Sequence, residues 1–326
     1  MKLNSKQLTF EQTNRFKGLL ILLIVFGHIS QLLEQIGSLH ATLYSFHVVS
    51  FLLLPFLFNK NQLTLKNINK NIRRIYIPYT IFFLLSLTAY SIMQEHFEPL
   101  SALRAWTIGS SYYLKIDTGL RVFWFFPTLM FTVILIMFFN GLSKKIKKIF
   151  LGFMLLIHIT IPFIPKFYLF YFPLSSYISF YLFIIGVFVN YLYKHINYNK
   201  YSIWIYSSLF ILLLLLAYGS DFSLASALFP NIIDQPFNFI LQDIIMIVSF
   251  FTLIHWSKNI KIFETFGKYS LAIFTIHPFI VQLVNKFYQW ETFTEGLIKF
   301  LLVLGTTYMI VRIIYYFKIN TILYPR

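Results

Sequence analysis

Ten apolar stretches recur along the chain, over residues 16–35, 41–58, 75–94, 122–140, 149–165, 173–193, 203–219, 237–256, 269–288 and 296–316. Each has about the length a helix needs to cross hydrocarbon, about 20 residues with a range of roughly 17–25. Only 12% of residues are charged and 58% are hydrophobic. A soluble domain carries about 25% charge to cover its surface, so that class is excluded. With no water in the bilayer to satisfy backbone groups, such stretches must be helices. The expected fold is all-α, a polytopic integral membrane protein of about ten transmembrane helices. The first run, Phe16 to Leu33, is too long for a signal-peptide core and lacks a small-residue cleavage site. It is expected to stay as a helix.

The formal net charge of +16 raises the question of nucleic acid or other anionic partners. The distribution answers it. With the N-terminus placed inside, 21 of the 27 Lys and Arg residues fall in inner segments. The outer set is Arg104, Lys115, Arg121, Lys166, Lys286 and Lys299. Basic residues sort in this way when they act as topology signals, so an N-in, C-in arrangement is expected and no nucleic-acid partner is. The outer connections, about 95–121 and 220–236, are too short for a folded domain. One transmembrane domain over 1–326 is expected, with no appended soluble domain. The chain shows no strong internal repeat, which counts against transporter folds built from duplicated halves.

Titratable groups inside a bilayer are costly, and each is a functional candidate. They are His28, His47, His158, Asp243, His255 and His277. His28 follows Lys17 by 11 residues, which places its ring about 16 Å deep, near mid-membrane. His47 lies on the next helix, about 9 Å below its outer end. A lone intramembrane histidine is often a neutral ring bonded to a backbone carbonyl. Two on adjacent helices at compatible depths favour chemistry, with His28 first. Arg73 and Arg74, at the inner mouth of the third span, read equally as topology signals or as guanidiniums gripping a phosphorylated cytoplasmic ligand. The chain has no cysteine, and its eight histidines form no His-x-x-x-His pair or carboxylate cluster. No metal is expected, and no Gly-rich phosphate loop implies ATP.

Five blocks, in order along the chain, carry a resemblance. The stretch Arg15-Phe-Lys-Gly-Leu-Leu-Ile-Leu-Leu-Ile-Val-Phe-Gly-His28 resembles the opening signature of the membrane acyltransferase 3 family, a basic residue and a glycine followed downstream by histidine. Either Lys17 or Arg15 supplies the charge. Leu43-Tyr-Ser-Phe-His-Val-Val-Ser-Phe51 is similar to a segment of the fucose 4-O-acetylase-like branch, with His47 on its histidine. Arg73-Arg-Ile-Tyr-Ile-Pro78 resembles the family's basic entry to the third helix, and Phe123-Trp-Phe-Phe126 its Trp segment, which brings in Trp124. Gly267-Lys-Tyr-Ser-Leu-Ala-Ile-Phe-Thr-Ile-His-Pro278 resembles its late Gly-x-x-Ser motif ending in histidine.

The resemblance implies a bacterial enzyme of the cell (cytoplasmic) membrane. It would move an acetyl group from acetyl-CoA to a hydroxyl of a surface carbohydrate or glycolipid. Lys17, Arg15, Arg73 and Arg74 would meet the phosphates of the acyl-CoA. His28 would be general base or acyl carrier, with His47 orienting it or relaying a proton. His277, Asp243 and Trp124 are secondary candidates. The rival reading is an exporter or flippase for a surface polysaccharide or its lipid-linked precursor.

Overall fold

The structure, a computed structural model, describes residues 8–35, 38–94, 98–109, 114, 118–119, 121–163, 174–195, 200–219, 236–287 and 291–325. Lys2, Lys6, Lys115, Lys166, Arg326 and most of the outer connection 220–236 lie outside the described residues.

In chain order, α1 (Phe10–Phe26) is followed by α2 (Ser30–Gln35) and α3 (Ser38–Phe58). Next, α4 (Leu65–Asn71) passes through one π turn (Ile72–Tyr76) into α5 (Ile77–Gln94), and α6 (Pro99–Ile108) follows. A 3-10 turn (Arg121–Trp124) leads into α7 (Phe125–Gly141) and α8 (Lys144–Thr160). Then come α9 (Leu174–His195), α10 (Lys200–Gly219), α11 (Pro236–Ser257) and α12 (Ile262–Lys268). The last are α13 (Ser270–Phe287), α14 (Phe293–Tyr316) and α15 (Asn320–Leu323). Among the described residues no strand occurs.

Six helices are long and apolar enough to cross a membrane: Leu65–Ile92, Val122–Gly141, Ile178–His195, Ile240–Ser257, Ser270–Phe287 and Phe293–Tyr316. Phe46–Phe58 and Trp204–Leu215 are shorter apolar helices. The protein is an all-helical, multi-pass membrane protein. Two expected spans start or stop elsewhere than the apolar runs do. The helix over 16–35 is interrupted at Gly27–Ile29. The stretch 149–165 begins as a helix at Lys144, because the Ser143 hydroxyl caps the Ile146 N–H and draws the four lysines into its first turns.

The chain divides into two compact units, one of residues up to Phe51 with Phe188–Ile313, the other of Leu52–Val187 with Ile314 onward. In the first, α1 is central. A capping box starts it: the Thr9 hydroxyl accepts the Gln12 N–H, and the Gln12 side chain accepts the Thr9 N–H. Its Phe16, Leu20, Ile21, Ile24 and Val25 are fully buried, Phe16 edge-on to Phe250 of α11 at 5.3 Å. Lipid tails are as apolar as these side chains, so close packing, more than water exclusion, holds such helices together.

Two glycines make the closest of these approaches. A Cβ on Gly18 of α1 would overlap the Phe263 carbonyl of α12, and a Cβ on Gly267 of α12 would overlap the Asn14 carbonyl of α1. The opening and closing glycines of the two sequence motifs are thus packed on each other's helix. Arg15 fastens the same crossing: its Nε and Nη2 donate to Glu264 Oε2 at 3.1 Å, and Nη1 donates to the Lys258 carbonyl at 2.9 Å.

In the second unit, buried aromatic packing dominates. Tyr79 of α5 stacks on Phe126 of α7 at 5.9 Å, and its hydroxyl donates to the Trp106 carbonyl of α6 at 3.0 Å. Gly186 of α9 leaves room for the ring of Phe56, which a Cβ there would strike.

Candidate active site

The break after α1 positions His28. Beyond Gly27 the backbone bonds tighten from four residues to three: the His28 N–H donates to the Val25 carbonyl and the Ile29 N–H to the Phe26 carbonyl, both at 3.1 Å. In a continued α-helix the Ile24 carbonyl would have taken the His28 N–H. Here the His28 ring takes it instead, with Nδ1 2.7 Å from that oxygen. A carbonyl only accepts, so Nδ1 carries the proton and Nε2 of the neutral ring carries a lone pair. The broken turn thus sets both the ring's direction and its tautomer.

His277 repeats the device on α13. Its Nδ1 lies 2.9 Å from the Ile273 carbonyl four residues back, which leaves Nε2 as the lone-pair nitrogen there too. A proline stands next to the ring within the unbroken helix: Pro278 has no N–H to give the Phe274 carbonyl. The ring is 0% exposed. His28 and His277 meet with ring centroids 5.0 Å apart and planes inclined by 69°. His47 of α3 is also 0% exposed, and its Nε2 lies 3.5 Å from where a Cβ on Gly27 would stand. The first unit therefore gathers three buried or half-buried imidazoles around the Gly27–Ile29 break.

The remaining candidates are placed as follows. Lys17 is half-buried on α1, two residues from Arg15, whose guanidinium is engaged by Glu264 and the Lys258 carbonyl. Asp243 is half-buried on α11. His255 stacks on Tyr206 with centroids 6.0 Å apart. In the second unit, His158 donates from Nδ1 to the Tyr181 carbonyl at 2.8 Å and stacks on that residue's ring at 4.7 Å, a satisfied structural histidine. Trp124 ends the 3-10 turn, half-buried, and its carbonyl accepts the Thr128 hydroxyl. Arg73 and Arg74 are exposed on the π turn. That turn has a local cause: Pro78 would crowd the Arg74 carbonyl in a regular helix, and a wider turn relieves it. Among the described residues, no group of three His, Asp or Glu side chains is disposed to hold a metal ion.

One polar residue at this site was misplaced by the charge count. Lys299, assigned there to an outer connection, lies within α14, 1% exposed, and its Nζ donates to Gln31 Oε1 of α2 at 2.9 Å. The signal was available, since 299 falls inside the apolar run 296–316 and a cation within such a run is a functional candidate.

The acyltransferase 3 family model, described as an acyltransferase domain, matches residues 13–316. No curated protein and no solved structure matches the chain.

Proposed function

The chain belongs to the acyltransferase 3 family, and from that membership we propose that it is a membrane O-acyltransferase carrying an acetyl group from cytoplasmic acetyl-CoA to a hydroxyl of a cell-surface carbohydrate. The distribution of Lys and Arg supports ten crossings with both termini in the cytoplasm. The donor then arrives from the face where Arg73 and Arg74 stand, and planar guanidiniums suit its phosphates. Lys17 is a separate candidate contact. Arg15, engaged by Glu264, serves the α1–α12 crossing.

The observation that carries this reading is the bond from His28 Nδ1 to the Ile24 carbonyl. It supports His28 Nε2 as general base, because that nitrogen is free of a proton before the reaction starts. In the proposed step, Nε2 removes the acceptor's hydroxyl proton as the oxygen bonds to the thioester carbon. The carbonyl π pair moves to oxygen, the tetrahedral intermediate collapses, and the C–S bond breaks. The CoA thiolate leaves with the proton held by His28. His277, ring to ring with His28, is a positioning residue that fixes where Nε2 can point. His47 packs against Gly27 and supports the broken turn.

The test is transfer of labelled acetate from acetyl-CoA by the purified protein in nanodiscs, paired with ester-linked acetate measured on each surface glycan of a deletion strain. Wild type restores the ester and His28→Ala does not. Restoration by His28→Ala would overturn the base assignment. Unchanged esters in the deletion strain, or no consumption of acetyl-CoA, would overturn acyl transfer in favour of glycan export. An acetylated His28 trapped on rapid quenching would replace the base mechanism with an acyl-imidazole.

A further inference from the structure

Lys299 is a cation in the wrong place for a topology signal. It stands at the seventh position of α14, 1% exposed, about 9 Å along the helix from Phe293. Its partner is Gln31, a neutral amide that satisfies one of the three ammonium donors. Among the described residues no carboxylate pairs with it. A buried ammonium without a counter-charge is strongly unfavourable, and the ways out are removal to solvent, loss of the proton, which the accepting Gln31 Oε1 opposes, or arrival of an anion. The packing closes off the first. One turn before Lys299, Gly296 brings α14 against α2: a Cβ there would lie 3.1 Å from Gln31 Cβ and 3.0 Å from Leu32 Cδ2. The ammonium is thereby held at α2.

The same short helix follows directly from the His28 break. Gln31 is three residues after His28, and the Leu32 N–H donates to the Ile29 carbonyl, a three-residue turn where the break passes into α2. Residues three apart lie on one side of such a winding. Lys299 thus reaches, through Gln31, the side of the chain that carries the reacting imidazole. With the N-terminus inside, α14 enters from the outer face, the side from which a surface glycan comes.

We propose that Lys299, held by Gln31, binds an anionic group of the acceptor, a carboxylate or a phosphate, and so restricts the enzyme to acidic glycans or phosphate-linked precursors. This rests on the acyl-transfer reading for the identity of the ligand, while the anion subsite is testable without it.

The full chain in phosphatidylcholine nanodiscs is titrated with inorganic phosphate at constant ionic strength made up with sodium chloride. CoA is kept saturating so that the donor's phosphate contacts are filled. Thermal unfolding reads the binding, since a ligand at concentration L that binds the folded state stabilises it by RT ln(1 + L/Kd), so Tm rises with the logarithm of concentration once Kd is passed. A parallel acetate series ranks carboxylate against phosphate. Wild type shows a rise that follows this logarithmic law, Lys299→Gln moves its onset to about tenfold or more higher phosphate, and Lys299→Arg retains it. Lys299→Gln keeps a hydrogen bond to Gln31 without the charge, and a cooperative transition at or above the wild-type Tm in the absence of phosphate confirms that it folds. No response in wild type, or an equal response in Lys299→Gln, overturns the subsite. Loss of the wild-type response in phosphatidylglycerol nanodiscs would give the site to a lipid headgroup and overturn the acceptor assignment. Acetyl transfer by wild type without a phosphate response removes the subsite and leaves the acyltransferase. A phosphate response without acetyl-CoA consumption does the reverse.

Discussion

The imidazoles of His28 and His277 stand 5.0 Å apart, each bonded through Nδ1 to the carbonyl four residues before it. Each is oriented by its own backbone, beside the Gly27–Ile29 break in one case and beside Pro278 of the unbroken α13 in the other. Both therefore present Nε2 lone pairs, and their functional and structural contributions are separable by mutation.

Substituting His28 removes the proposed base together with the ring that bonds the Ile24 carbonyl and meets His277. His28→Ala is expected to lower acetyl transfer by about 100- to 10,000-fold, the usual contribution of a positioned acid–base group. Its helical content should stay near wild type, while the thermal unfolding midpoint falls modestly because the buried Ile24 carbonyl loses its ring partner. Circular dichroism beside a radiolabel assay checks both. A variant that unfolds at room temperature would mean that His28 also holds the fold.

His277→Ala should act through His28. The expected loss is about tenfold, equivalent to about 1.4 kcal/mol of transition-state stabilisation. Residues that work as a unit are grossly non-additive, so His28→Ala/His277→Ala should be no slower than His28→Ala alone. If the two losses multiply, the histidines work independently.

Much of the architecture was legible because a bilayer allows few solutions: each of the ten apolar runs overlaps a helix among the described residues. The motif glycines were legible as a pattern but not as partners, since nothing local to Gly18 announces that Phe263 lies against it. The break at Gly27–Ile29 was hidden by hydropathy, which stays apolar from Leu19 to Val25 and resumes at Leu32. Gly27 was its one local sign. Lys299 was hidden by a counting rule that treats a cation near a span's end as loop. Tertiary burial by α2 decided otherwise.

Gly18 and Gly267 should tolerate no Cβ. Alanine at either position collides with backbone of the other helix, which cannot rotate away as a side chain can. Overpacking costs about 1–3 kcal/mol, and a backbone collision belongs at or above the top of that range. The thermal midpoint of Gly18→Ala or Gly267→Ala in detergent should fall clearly below wild type. The double variant should lose less than the two losses added, because one separation of α1 from α12 relieves both collisions. Full additivity would show that the two sites yield independently.

Arg15 and the Arg73–Arg74 pair should separate structure from donor binding. Glu264→Ala leaves the Arg15 guanidinium bonded to the Lys258 carbonyl. The ion pair is partly exposed, so its loss should cost about 0.2–1 kcal/mol, with KM for acetyl-CoA unchanged. Arg73→Ala/Arg74→Ala removes two exposed guanidiniums that the thermal midpoint should scarcely register. If they meet donor phosphates in ground state and transition state alike, KM for acetyl-CoA rises about tenfold or more and kcat holds. Replacement by lysine should recover only part of the loss, because an ammonium cannot reproduce the bidentate fork. Steady-state kinetics over a range of acetyl-CoA decides the matter. A fall in kcat at constant KM would move these arginines from donor binding to the transfer step, and unchanged kinetics would return them to topology alone.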